Sequence, residues 1–435
     1  MRKHSKSDSY LHLKRERRTL AKRRAAKRSI STQEREARRE RRGPLPDEPT
    51  STIDHFTTQR QERTLVTTRK IVLPKTFSFL DDPEAALKVI HRAAAVLNHQ
   101  KIKFIYIDHR HVERVGLAAE VVLDRVVDDM FRRFTRAGRR VKLRGRVPAD
   151  PNACRLIRAI GLTKALGIRT QVLSDEDESR VRVFQSDSRA YVAQPKINIR
   201  DYKEKTVGDF VAYTQKALGE HGHEMTNAAK ARLISYLGEI LDNVEQHSGV
   251  LDWILVGYID LTEDGLHWFD IAVLNFGLTY AETFSASGAS ELAWGEIQGY
   301  LDKHRGKGGI SDEGLVTVCA LQGNISSKNY TEEDTRGHGT VKLIEFFQDL
   351  HESFAGSDTR KPKMAIVSGN TRVLFDGRYK MKMSSEGRKV IAFNNPNDLD
   401  DPPDMRYVSS LRGKGFPGCA ISIRFPLPAR FVRNV

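Results

Sequence analysis

The sequence predicts an α/β protein in which two folded units succeed a basic arm, and three observations carry that prediction. Leu233, Leu237, Ile240, Leu241 and Val244 recur at the spacing of one helix face. Just after them, Asp252–Leu261 and His267–Leu274 are apolar runs rich in β-branched residues, which read as strands. Upstream, strand-like and helix-like segments alternate: Phe104–Ile107, Leu117–Arg136, Val141–Arg144, Asn152–Ile160. The 435 residues suit two domains and an arm, at the usual ~100–200 residues per domain.

Residues 1–60 read as arm and linker, disordered or helical. Within the first 43, Lys and Arg outnumber Asp and Glu by 17 to 5, which accounts for most of the chain's formal charge of +16. Lys14-Arg-Glu-Arg-Arg and Lys22-Arg-Arg-Ala-Ala-Lys-Arg suit a polyanion, with DNA or RNA bound through salt-sensitive phosphate contacts as the leading expectation. A solvated tail, an acidic protein and an anionic membrane surface are the alternatives. Arg42-Gly-Pro-Leu-Pro interrupts the chain between the arm and the first folded unit.

Residues 68–190 form the first folded unit. Phe104-Ile-Tyr-Ile-Asp, Val115-Gly-Leu, Gly138-Arg-Arg-Val-Lys-Leu-Arg-Gly and Leu156-Ile-Arg-Ala-Ile-Gly-Leu together resemble a STAS domain, the fold of anti-sigma-factor antagonists. Phosphorylatable members carry a Ser just before the Gly-Leu pair. Here Glu113, Arg114 and Val115 stand there, so the resemblance implies a docking module for a protein partner rather than a phosphorylation switch.

Residues 200–430 form the second. Helices are expected over 206–219, 226–247 and 340–352, with further helical patterns over 290–303 and 311–322. Strands are expected at Met364–Gly369, Thr371–Phe375 and Gly418–Pro426. Beside the apolar stripe of the 226–247 helix lies a second one, Glu239, Asn243 and His247. A carboxylate, a carboxamide and an imidazole at successive i+4 steps are neighbours and can converge on one ligand. The strand after it ends in Asn275-Phe276-Gly277-Leu278-Thr279. Farther on, Arg336-Gly337-His338-Gly339-Thr340 opens a helix whose free amides suit an anion.

Helix with Glu and Asn, strand ending at an Asn-x-Gly corner, then Gly-x-Gly into a helix resembles the GHKL (histidine kinase-like, Bergerat-fold) ATPase superfamily. The resemblance implies a two-layer α/β sandwich that binds ATP and Mg²⁺. It implies Asn243 as the metal ligand, where one carbonyl oxygen plus phosphate oxygens satisfies an ion that keeps some of its waters. Glu239 takes the place of the residue that deprotonates water. Asn275, Gly277 and Thr279 form the first nucleotide box, and Arg336, Gly337, His338, Gly339 and Thr340 the second. From the intervening lid, Lys307 or Arg305 could reach a γ-phosphate. The family has Asp where this chain has Asn275, so the adenine contact loses charge assistance, worth roughly 1 kcal/mol.

Cys154, Cys319 and Cys419 are isolated, which argues against a disulfide framework or a cysteine zinc site. The chain has no apolar run long enough to span a bilayer, and its basic start has no apolar stretch for a signal peptide, so a cytoplasmic protein is expected. Three functions compete: a Mg-ATP-dependent switch acting on a protein or nucleic-acid partner, a protein kinase of the anti-sigma-factor or histidine-kinase type, and a non-catalytic nucleic-acid-binding module on a degenerate ATPase fold. Family members often dimerise, so a homodimer is one expectation, although no heptad pattern here specifies it.

Overall fold

The computed structural model divides the chain into two units, residues 1–50 and 51–435. It describes residues 51–57, 70–97, 104–160, 175–189, 199–220, 222–247, 252–261, 267–285, 291–323, 338–353, 361–385, 387–426 and 432–434. The basic arm lies outside that set. The protein is mixed α/β, and no helix among the described residues is long and apolar enough to cross a membrane.

The described part begins with α1 (Thr52–Thr57), β1 (Lys70–Val72), β2 (Thr76–Phe77), α2 (Pro83–Leu97), β3 (Phe104–Asp108), β4 (Arg114–Val115), α3 (Leu117–Arg136), β5 (Lys142–Arg146) and α4 (Pro151–Ile160). Strands β1, β3 and β5 form a parallel sheet in that order, with α2 and α3 as the crossovers. Both α2 and α4 start on an Asp-Pro pair. The carboxylates of Asp82 and Asp150 accept the amides of Ala85 (3.0 Å) and Ala153 (2.8 Å), and proline fills the first helical position, where no donor is needed.

Next come α5 (Asp175–Arg180), β6 (Val181–Asp187), α6 (Ile199–Gly219), β7 (His223–Met225), α7 (Asn227–His247), β8 (Trp253–Leu261) and β9 (His267–Phe276). They are followed by α8 (Tyr280–Ser285), α9 (Glu291–His304), α10 (Asp312–Ala320) and α11 (His338–Ser353). The chain closes with β10 (Lys363–Gly369), β11 (Thr371–Phe375), β12 (Lys382–Met383), β13 (Lys389–Val390), β14 (Val408–Ser410), β15 (Phe416–Pro426) and β16 (Val432–Asn434). The main sheet has the order β14-β11-β10-β15-β9-β8-β6, and every neighbouring pair is antiparallel. Strand β6 lies inside the sequence range read as the upstream unit. It nevertheless forms an edge of this sheet, pairing Val181 with Asp260 through to Asp187 with Ile254.

All nine residues of β8 are buried. Leu255 and Ile259 point to one side and pack with α6 and α7, whereas Ile254, Val256 and Tyr258 point to the other and join the core of the upstream unit. Leu274, Phe276, Val367, Phe416 and Ala420 do the same, and α3 packs against β9 and β15. The two-layer sandwich expected for residues 200–430 therefore describes one side of the sheet only. The upstream unit is the third layer. The reason is in the strands: both parities are apolar, and each large side chain left in water would forfeit roughly 1.5–3 kcal/mol.

The seam between the halves is aromatic at its centre and charged at its edge. Phe56 lies edge-on to Phe276 (6.2 Å) and Phe416 (6.0 Å), and His55 stacks on Phe276 at 5.4 Å. At the edge, Asp129 of α3 pairs with Arg189 (2.7 Å) and accepts the Ser51 hydroxyl and the Thr52 amide, which fastens α1. Arg125 pairs with Asp187 at 2.9 Å. Three carboxylates thus share two guanidiniums. The third, Asp252, stands 3.8 Å from Arg189 and 3.9 Å from His55, and neither of its carboxylate oxygens has a hydrogen bond among the described residues.

Burial pushes the Asp252 carboxyl up to about 6, Asp129 and Asp187 add to the rise, and Arg189 and Arg125 only partly oppose it. Burial also lowers His55, so the imidazole supplies no compensating charge at neutral pH. Below about pH 4 the Asp252 carboxyl is protonated in folded and unfolded chains alike. Between about pH 4 and 6 the unfolded chain ionises it while the folded chain does not, so folding loses on the order of 2–3 kcal/mol by neutral pH. Asp252→Asn is therefore expected to be more stable than wild type at about pH 7.5, with the difference shrinking toward pH 4. Urea unfolding of both proteins across that range measures it, and a difference independent of pH would refute the assignment.

Candidate functional site

Strand β9 carries Asn275 and Phe276 to its C-terminal end at the centre of the sheet. Asn275 is only 5% exposed. The chain then turns at Gly277, whose φ of +134° is left to glycine. Its amide donates to the Pro417 carbonyl at 3.2 Å. Across from it, Gly418 lets β15 close in, since a Cβ there would lie 2.1 Å from the Asn275 carbonyl oxygen.

Thr279 starts α8 as one half of a capping box. Its hydroxyl accepts the Glu282 amide (3.1 Å) while the Glu282 carboxylate accepts the Thr279 amide (2.9 Å). The Tyr280 amide donates to the Ser368 hydroxyl (2.9 Å), which in turn donates to the Gly418 carbonyl (3.1 Å). The Tyr280 hydroxyl meets Thr340, in the first turn of α11, and the thiol of Cys419. Burial pushes that thiol up to about 12 and the tyrosine well above its ordinary value, so both stay neutral. Tyr280 thereby joins the first glycine segment to the second.

Helix α7 reaches the same place through α11. Glu239 forms an ion pair with Lys342, one turn into α11. Arg232 pairs with Asp349 (2.8 Å), and Tyr236 stacks on Phe346 (4.4 Å), so the two helices are held along their length. Asn243 and His247 lie one and two turns beyond Glu239 on the same face of α7, by helical geometry. Their side chains fall outside the described residues, as do Arg336, Gly337 and the side chain of His338. Gly339 opens α11 behind His338. Lys307 sits in an exposed turn between α9 and α10, where Gly308 abuts Pro402 and Gly309 abuts Met405.

Four residues of the site went unread in the sequence: Tyr280, Ser368, Lys342 and Glu313. The Glu313 carboxylate accepts the Asn370 amide (2.9 Å), and a Cβ on Gly369 would collide with it. Burial raises its pKa, and nearby Glu282 adds to the rise. The Thr-x-x-Glu of the capping box was visible in the sequence. The pairing of Lys342 with Glu239 joins residues 103 apart and has no local signature.

Chemically, the first turn of a 16-residue helix carries the positive end of the helix dipole, a preference for anions, while Lys342, paired with Glu239, adds a cation and Asn275 a buried carboxamide. Loss of the capping box in Thr279→Ala is expected to cost about 1 kcal/mol of stability. Thr279→Ser should recover most of that in thermal unfolding, and identical melting of all three proteins would count against the role of the hydroxyl.

Comparison of the chain with protein-family models, with curated proteins and with solved structures finds no match.

Proposed function

We propose that this protein is a Mg-ATP-binding regulatory protein with a GHKL-like nucleotide site at the end of β9 and a STAS-like half behind the sheet. The observation that carries the reading is the pair of contacts Tyr280 to Thr340 and Glu239 to Lys342, by which the start of α8 and helix α7 each touch the beginning of α11. The donor set suits the ligand. The α11 amides and Lys342 match phosphate oxygens, Asn275 matches a base edge, and Asn243, on the face of α7 that carries Glu239, would hold Mg²⁺. Bound Mg-ATP would supply an electrophilic γ-phosphoryl group.

Nucleotide acts as a switch only where it favours one arrangement over another. The route to the upstream half is short, because Phe276 precedes Gly277 and carries His55 and Phe56 of α1 on its other side. One observation favours a second reading, binding without turnover: Glu239 is engaged by Lys342, so its carboxylate is occupied by an ammonium rather than open to an attacking water. Hydrolysis is accordingly slow in the first reading and absent in the second.

Calorimetry with Mg-ATP should show at least about tenfold weaker binding by Asn243→Ala than by wild type, the order expected for loss of a metal ligand. Equal affinities would remove the metal assignment. If the protein turns ATP over, Glu239→Gln should slow phosphate release by about 10²-fold or more. A rate that does not move rejects Glu239 as the base.

A further inference from the structure

Two cavities open between the upstream half and the sheet, of about 350 Å³ and 710 Å³, and both are lined by Arg114, Trp268 and Arg424. They are therefore two ends of one cleft. It lies away from the corner at Asn275 and Gly277. Trp268 and Asn275 are separated by seven steps of β9, ~23 Å. His351, which also lines the larger cavity, is eleven steps along α11 from Thr340, ~16 Å.

The cleft is dipolar. At the larger end Lys361, Lys363 and Arg378 join Arg114, against Asp81 and Asp376. Asp376 is already occupied, accepting the Tyr407 hydroxyl (2.9 Å) and the Arg378 amide (3.0 Å), and Asp81 sits 3.8 Å from Lys363. Arg114 donates to the neutral hydroxyl of Thr76 at 3.1 Å. Cationic charge is in surplus there.

At the smaller end the surplus is of acceptors. Asp270 is matched by Arg424 (2.7 Å), Asp150 caps α4, and Glu113 pairs with Lys75 (2.9 Å). Asp260 gives one oxygen to Arg155 (3.2 Å). Its other oxygen, in a residue only 7% exposed, is buried with no hydrogen-bond partner among the described residues. An unmatched buried carboxylate oxygen calls for an N–H or O–H donor.

We propose that this cleft binds a nucleoside monophosphate, with the phosphate among Arg114, Arg378 and Lys361, the base beside the half-buried indole of Trp268, and an amino or ring N–H directed at Asp260. Several uncompensated cations at one end select a multiply charged anion over a carboxylate. The carboxylates at the other end repel a continuing polyanion, which disfavours a nucleic-acid strand. A flat ring with a donor edge satisfies both Trp268 and Asp260, and the cleft is of the size that takes small ligands.

The test is calorimetry on the full chain with the common ribonucleoside monophosphates, inorganic phosphate and the free nucleosides, without Mg²⁺. At least one monophosphate should bind more tightly than phosphate or its own nucleoside. The double variant Arg114→Ala/Arg378→Ala should weaken it by about tenfold or more, and Trp268→Phe should abolish ligand-induced quenching of tryptophan fluorescence. Both arginines are exposed, so the double variant should melt as wild type does. Asn243→Ala should leave this affinity unchanged, which separates the cleft from the proposed Mg-ATP site. The proposal is overturned if no monophosphate binds at millimolar concentration, if phosphate alone binds as well, if a single-stranded oligonucleotide binds in its place with the same dependence on Arg114, or if Asn243→Ala removes the binding and the double variant does not.

Discussion

A central antiparallel sheet with no face to spare for water governs this structure. Strands β8, β9 and β15 are apolar at odd and even positions alike, so each needs a cover on both sides. Helices α6, α7 and α11 supply one cover from within the same sequence range. The other comes from α1 and α3, and β6 closes an edge with a strand drawn from the upstream range. The two ranges read in the sequence as successive domains share a core within the compact unit of residues 51–435.

The shared core also decides where ligands can go. With both faces of the sheet covered among the described residues, its ends and the margins of the seam are the places left to a ligand. One end of β9 gives the corner at Asn275 and Gly277. The other gives Trp268 and the dipolar cleft. Strand β9 and helix α11 run between these places. Both sites also border the seam, the corner through Phe276 and the cleft through Arg114 and Arg424.

Local periodicity made most elements legible. The helix read over 226–247 is α7 (Asn227–His247), that over 340–352 is α11, and the strands at Met364–Gly369 and Thr371–Phe375 match β10 and β11. These signals arise within a turn or two of chain, where side-chain spacing and secondary structure are the same fact. Partnership between distant segments was not legible. The pairing of β6 with β8, the Asp129–Arg189 bridge and the Glu239–Lys342 pair depend on which surfaces meet, and a residue's own neighbourhood does not record that. Thr279 is instructive in a different way. Beside the ligand contact implied by its place after Asn275 and Gly277, its hydroxyl and amide are both engaged with Glu282, a local signal present in Thr-Tyr-Ala-Glu.

The charged rim of the seam is harder to account for by stability, since a buried ionic cluster with an unmatched carboxylate gains little over apolar packing. Its geometry suggests what it does instead. Asp129 fixes the first residues of α1 on α3, Arg189 is shared by Asp129, Asp252 and the Thr52 hydroxyl, and the Asp252 carbonyl accepts the Phe276 amide at 3.0 Å. Aromatic contacts between Phe56, Phe276 and Phe416 are non-directional enough to tolerate sliding, but directional hydrogen bonds to guanidinium and carboxylate are not. The rim thus sets the register in which the aromatic centre closes. Because it includes the carbonyl that holds Phe276, it sets that register at the residue from which the Gly277 corner is built.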